Sequence, residues 1–161
     1  MSRFANRKNP VFKPRSDGRF DLVLDPELRE TIASLLGELK ELVEGGPGDP
    51  SLRRLTPPAY LDDPDKDAEY QLLAGDELRT ARHEAIDAVL ASMAEEQLSA
   101  EGLWAWLQSL NSLRLVVGTR LGIEDDEHDR EVAVDDPDAG LWSIYDFATW
   151  LQHWIIKALE G

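Results

Sequence analysis

Residues 100–122 read AEGLWAWLQSLNSLRLVVGTRLG, and the periodicity of this stretch decides the fold. At 100° per residue Leu103, Trp106, Leu107, Leu110, Leu113, Val117 and Leu121 fall on one stripe of a helix, with Ser99 ahead of it as N-cap. A stripe of that length must be buried against other helices. Arg114 lies inside it. An isolated buried charge is costly, so the position predicts an ion pair with an acid of another helix. The functional alternative is an anion or phosphate contact. Gly118, which costs about 1 kcal/mol against Ala in a helix interior, predicts close approach of another backbone. Trp104 falls on the far face with Leu115, an exposed pair suited to a protein partner or to a homodimer contact.

Toward the C-terminus, residues 139–160 form a second helix that is apolar nearly all round. Asp146, Thr149, His153, Lys157 and Glu160 confine its polar face to about 80° of the wheel, which predicts the hub of a bundle. Trp106, Trp142, Trp150 and Trp154 read as packing between these two helices. Between them, residues 124–138 carry nine acids and one Arg. That run reads as a loop and a protein-facing surface, with Glu124, Asp125, Asp126 and Glu127 as its candidate contacts.

Toward the N-terminus, Asp25-Pro26 caps a helix whose Leu28, Ile32, Leu35, Leu36, Leu39, Leu42 and Val43 keep three and four spacing until Gly45-Gly46-Pro47 stops it. Asp49-Pro50 opens a single turn through Leu55. Asp63-Pro64 repeats the capping device for a helix from Asp65 to Met93, with a break expected at Gly75-Asp76. Within it Leu78, Ala81, Ala85, Val89 and Leu90 mark the buried face. Phe12, Phe20, Leu22 and Leu24 alternate around Ser16-Asp17-Gly18, which predicts a hairpin over residues 11–24. Two strands alone are marginal, so the ribbon must pack on helices. The expected fold is mainly α: a bundle of about five helices with a small N-terminal β-hairpin. Residues 1–15 read as a basic mobile arm and residues 16–161 as one helical domain.

Charge divides the chain unevenly. The first nineteen residues carry six Lys or Arg (Arg3, Arg7, Lys8, Lys13, Arg15 and Arg19) against one acid, Asp17, and the remainder carries eleven against thirty-one. The arm at about +5 and the body at about −20 together make the −15 of the whole chain. Such a body repels a phosphate backbone, so nucleic-acid contacts would fall to Arg3, Arg7, Lys8, Lys13 and Arg15, while the body suits basic protein surfaces.

Several chemistries are excluded or fit poorly. No cysteine is present, so disulfides, thiolate metal ligation and thiol redox chemistry are absent from this chain. Asp63, Asp65 and Asp67 begin like a calcium loop, but Ala68 stands where Gly is needed and Ala74 where the bidentate Glu belongs. They read better as a cap with acids favouring the helix dipole. His83-Glu84 begins like a zinc-protease helix and then presents Asp87 at the second ligand position. There is no phosphate-binding glycine loop and no serine elbow. The sequence therefore predicts no enzyme, no cofactor and no metal. No apolar run reaches membrane-spanning length and no signal-peptide centre is present, which predicts a cytoplasmic protein.

The segments SDGRFDLVLDPEL (16–28), LLGELKELV (35–43), DPSLRRLTPPAYLDDPDKDAEYQLL (49–73), LNSLRLVVGTRLGI (110–123) and YDFATWLQHWIIKALEG (145–161) resemble an actinobacterial family of unknown function, the oxidative-stress transcriptional regulators of AosR type. The resemblance implies a cytoplasmic regulator that acts with the transcription machinery through a sigma-factor partner and responds to oxidants by a cysteine pair. This chain lacks those cysteines, so the thiol part does not carry over. The matching residues Pro57, Pro58, Tyr60, Asn111, Arg114, Leu115, Gly118, Thr119, Arg120 and Tyr145 read as structural. The expectation is a non-enzymatic regulatory or adaptor protein that binds a protein of the transcription machinery. The alternatives are a DNA-binding regulator using the basic arm and, third, a small metal-dependent protein.

Overall fold

The computed structural model of the chain describes residues 8–45, 49–52, 54–55, 62–123 and 135–161, with every side chain among them except those of 71–73 and 76. In chain order the elements are β1 (Phe12–Pro14), β2 (Phe20–Leu22), α1 (Pro26–Glu44), a 3-10 turn (Pro50–Leu52), α2 (Pro64–Ser92), β3 (Gln97–Leu98), α3 (Ala100–Leu121) and α4 (Ala139–Glu160). Among the described residues, four α-helices and one 3-10 turn thus meet the expectation of a mainly helical bundle.

The helix ends follow local chemistry. Asp63 accepts a hydrogen bond from the Lys66 backbone at 3.1 Å, and Ser99 accepts one from Gly102 at 3.0 Å; each satisfies an amide that the first helical turn leaves free. Asp25 makes no such bond. There the proline at the first helical position sets the start, its fixed φ being already helical. At the end of α3, Gly122 takes φ 75°, a left-handed conformation cheap only for glycine. It lets Ile123 N donate back to Gly118 O at 2.9 Å, closing the helix and burying Ile123.

Three strands, not two, form the sheet. β1 and β2 pair antiparallel with Phe12 opposite Leu22 and Pro14 opposite Phe20. β2 also pairs with β3, Phe20 opposite Leu98. The third strand comes from the connection between α2 and α3, where two residues are too few for alternation to be read. The residues on the inner face, Phe12, Phe20, Leu22 and Leu98, are all buried. Phe12 meets Trp106 of α3 edge to face, ring centres 5.6 Å apart. Folded structure therefore begins ahead of residue 16. Asn9 already ties the chain down, its side-chain amide donating to Trp154 O at 2.7 Å and its oxygen accepting from Val11 N and Phe12 N.

Arg29 joins this sheet to the helices. Its guanidinium donates to four backbone carbonyls, those of Leu22, Leu24, Met93 and Glu95, at 2.8 to 3.1 Å. The end of β2, the start of α1 and the end of α2 are thereby held at one side chain. Below it the Trp106 indole donates to the Ser92 hydroxyl at 2.9 Å, which donates to Val89 O at 2.6 Å. Both polar groups are buried and both are satisfied.

Two readings of the helices change. α2 runs unbroken through Gly75-Asp76, and of the residues expected on its buried face Ala85 and Val89 are buried, with Ile86 beside them, whereas Leu78 and Ala81 are exposed. The hub is α3 rather than α4. α3 packs on α1, the 3-10 turn, α2, β3 and α4, while α4 leaves Trp150 43% and Ile156 46% exposed. The apolar girth of α4 thus serves an inner face against α3 and β1 and an outer face that the rest of the described chain does not cover. At Gly118 the neighbour is an aromatic ring, not a backbone: a Cβ there would lie 3.4 Å from Tyr145 Cε2.

Candidate functional site

The antiparallel crossing of α3 and α4 leaves an open groove of about 630 Å³ on the outer side of the bundle. α3 contributes Trp104, Leu107, Gln108, Asn111 and Arg114, spaced so that one helix edge presents them all. α4 contributes Thr149, Gln152, His153 and Ile156. Trp104, 53% exposed, is the most exposed of the large apolar side chains among the described residues, and Ile156 lines the same groove. The placement expected for Trp104 is therefore observed. Leu115 is not its companion: it is half-buried against the core and lines a separate cavity between α2 and α3.

Arg114 also lines the groove. It is half-buried, and its guanidinium donates to Gln152 Oε1 and to the Tyr145 hydroxyl, each at 3.0 Å. Its central carbon stands 5.0 Å from the centre of the Tyr145 ring, within range of a cation–π attraction. Tyr145 in turn lies edge-on to Trp142, ring centres 6.3 Å apart, and against Gly118. The arginine is thus held across the α3–α4 seam, as its place in the stripe implies, but these two hydrogen-bond acceptors are neutral. These two bonds orient the guanidinium along the edge of the groove.

The remaining candidates are spread over the molecule. Lys8 and Lys13 are exposed. Arg15 is engaged at 3.2 Å by Asp17 and at 3.0 Å by Asp21. The Asp21 hydrogen bond, then that of Asp17, raises its pKa further above the ordinary arginine value. Arg3 and Arg7 lie outside the described residues, as do Glu124, Asp125, Asp126 and Glu127 and the family positions Pro57, Pro58 and Tyr60.

His83 and Asp87 belong to a surface clamp between α1 and α2. His83 Nε2 is 2.7 Å from Glu44 Oε1, and Lys40 Nζ is 2.8 Å from Asp87 Oδ1. The Lys40 hydrogen bond holds the Asp87 carboxyl below its usual range against a smaller desolvation effect. Among the described residues no group of three or more His, Cys, Asp or Glu is placed to hold a metal ion. No described helix is long and apolar enough to cross a membrane.

Comparison with known proteins follows the same lines. The chain is 30% identical over 134 residues to the oxidative stress regulator AosR of Mycobacterium bovis, and equally to that of two strains of Mycobacterium tuberculosis. The match takes in 71% of this chain and 60% of the length of those regulators, so the chain spans about three-fifths of the relatives it matches. No solved structure matches it. The family of the domain of unknown function DUF2017 matches residues 5–159. With nearly its whole length covered, and with the resemblance to AosR-type regulators borne out, the chain belongs to the DUF2017 family.

Proposed function

We propose that the chain is a non-enzymatic regulatory adaptor of the cytoplasm that binds a protein of the transcription machinery through the α3–α4 groove. The observation that carries this reading is Trp104, more than half exposed beside Ile156 and the oriented Arg114. A tryptophan left in water on a rigid helix is the residue type that most often dominates a protein interface, and arginine is another. The relatives bear the name of an oxidative stress regulator, which supports regulation rather than catalysis. The net charge of −15 favours a partner with a basic surface around an apolar anchor, and opposes a homodimer.

The reading is tested on the immobilised chain with purified RNA polymerase, supplied as core enzyme and with individual sigma factors. Retention of one of these, reduced about tenfold or more in Trp104→Ala, supports it, since an interface hot spot contributes roughly 2 kcal/mol or more. Equal retention by the variant, or none by either form, overturns it. The arm-based DNA reading loses weight because Arg15 is already engaged by two carboxylates. Strong, salt-dependent gel retardation of DNA by the full chain, abolished on removal of residues 1–15, would favour that reading instead.

A further inference from the structure

A second cavity, about 220 Å³, opens between α2 and α3 and adjoins the α3–α4 groove at Gln108 and Asn111. Leu55, Leu78, Ala85 and Leu115 give it apolar walls, and Arg82 and Ser109 are among its polar residues. Ser109 is 1% exposed, and its hydroxyl is buried with no hydrogen-bond partner. Buried polar atoms are nearly always paired, and one left alone destabilises the protein that carries it. Arg82 is half-buried on the facing helix, donates one hydrogen bond to Leu55 O, and has no carboxylate paired with it among the described residues. Burial lowers its pKa. A cation and a hydroxyl with spare donor capacity therefore line one apolar cavity.

We propose that this cavity binds a small amphiphilic monocarboxylate, its head group on Arg82 and Ser109 and its hydrocarbon body against Leu55, Leu78 and Leu115. An anion recovers the electrostatic energy that Arg82 lacks, by a charge-assisted hydrogen bond in a partly desolvated site. One guanidinium compensates one negative charge, which favours a carboxylate over a phosphate dianion. The apolar walls require an apolar body. The volume is that of about seven waters at liquid density, below the range of drug-sized pockets, so the ligand is a short acid. The two sites share Gln108 and Asn111 at their common border, but the inference rests on Arg82 and Ser109, neither of which takes part in the protein-docking reading.

The test is an NMR titration of the ¹⁵N-labelled full chain with hexanoate as probe, against hexan-1-ol and inorganic phosphate. Hexanoate is expected to give saturable shifts confined to α2 and α3 around Arg82, Ala85, Ser109 and Leu115, with hexanol and phosphate each at least tenfold weaker. Ser109→Ala should weaken hexanoate about tenfold, as for one hydrogen bond to a charged group. Its melting temperature without ligand should equal or exceed that of the wild type, because an unpartnered hydroxyl has been removed. Arg82→Lys, which keeps the charge, should bind hexanoate more tightly than Arg82→Met. Shifts that do not saturate or that map to the α3–α4 groove, hexanol or phosphate binding as tightly as hexanoate, or Ser109→Ala binding hexanoate like the wild type would each overturn the assignment.

Discussion

The sheet end of the molecule and the outer edges of α3 treat polar groups in opposite ways. At the sheet end Arg29 spends its guanidinium on four carbonyls, and the Trp106 indole and Ser92 hydroxyl pass hydrogen bonds inward to Val89. On the outer edges Ser109 is buried without a partner, Arg82 has one carbonyl, and Trp104 and Ile156 face water. Satisfied groups lock a structure, whereas spare donors and bare apolar surface destabilise it unless something binds there. The contrast assigns stability to the first region and recognition to the second.

If that division is right, the largest losses of stability come from the sheet end. Phe12→Ala should destabilise the protein by about 3 to 5 kcal/mol, the usual result of removing a buried aromatic ring, because Phe12 is fully buried against Trp106. Urea denaturation followed by circular dichroism measures it. A loss under about 1 kcal/mol would show that β1 is not part of the cooperative core. Arg29→Met should follow at about 3 kcal/mol, since four carbonyls lose a charged donor while the apolar stem is kept. Arg29→Lys should restore little of this, because an ammonium cannot span four acceptors with the planar fork of arginine. Complete rescue by lysine would reduce Arg29 to a point charge.

How much of this division can be read in the sequence depends on the kind of contact involved. The bounds of α3 and α4, the caps at Asp63 and Ser99, and the inward ring of Phe12 follow from periodicity and capping chemistry, which are local. Arg29 leaves no such trace: two of its acceptors, Met93 and Glu95, lie 64 and 66 residues away and are backbone groups, so no side-chain pattern marks them. β3 is hidden for a similar reason, being two residues that become a strand only when β2 arrives. Among the candidate sites, the exposure of Trp104 is legible from its angle on the wheel. The angle of Arg114 likewise predicts its placement between helices but does not single out Gln152 and Tyr145 as acceptors, because they approach from a helix whose rotation about its axis the sequence does not fix. Ser109 carries a weak signal: a small polar residue that falls next to the apolar stripe of a buried helix.

Arg114 lies between the two regions and sharpens the boundary. Its replacement by Met removes the hydrogen bonds to Gln152 and Tyr145, which for two bonds to neutral acceptors in a partly wet groove should reduce stability by about 1 to 2 kcal/mol. A loss of about 3 kcal/mol or more, as for a broken buried ion pair, would mean that a carboxylate supports the guanidinium and that Arg114 belongs with the locked region. Thermal and urea melting of Arg114→Met, with Tyr145→Phe as the partner deletion, decides between them. Non-additive losses in the double variant are expected, because the two side chains share one contact.

The smallest effect on stability, and the most informative for function, is expected at Trp104. With just over half its surface in water, the indole contributes little to the core, so Trp104→Ala should change stability by no more than about 0.5 kcal/mol, as for other surface substitutions. The same change should lower retention of the proposed transcription partner about tenfold or more, because an exposed aromatic anchor recovers its apolar burial only in a complex. Stability and binding would then respond in opposite order at Phe12 and Trp104, and that reversal is what a separation of the two regions requires. Should Trp104→Ala melt as early as Arg29→Met, the ring would be holding α3 against α4 in the free protein. The outer edge of α3 would then be an extension of the core, and the division would fail.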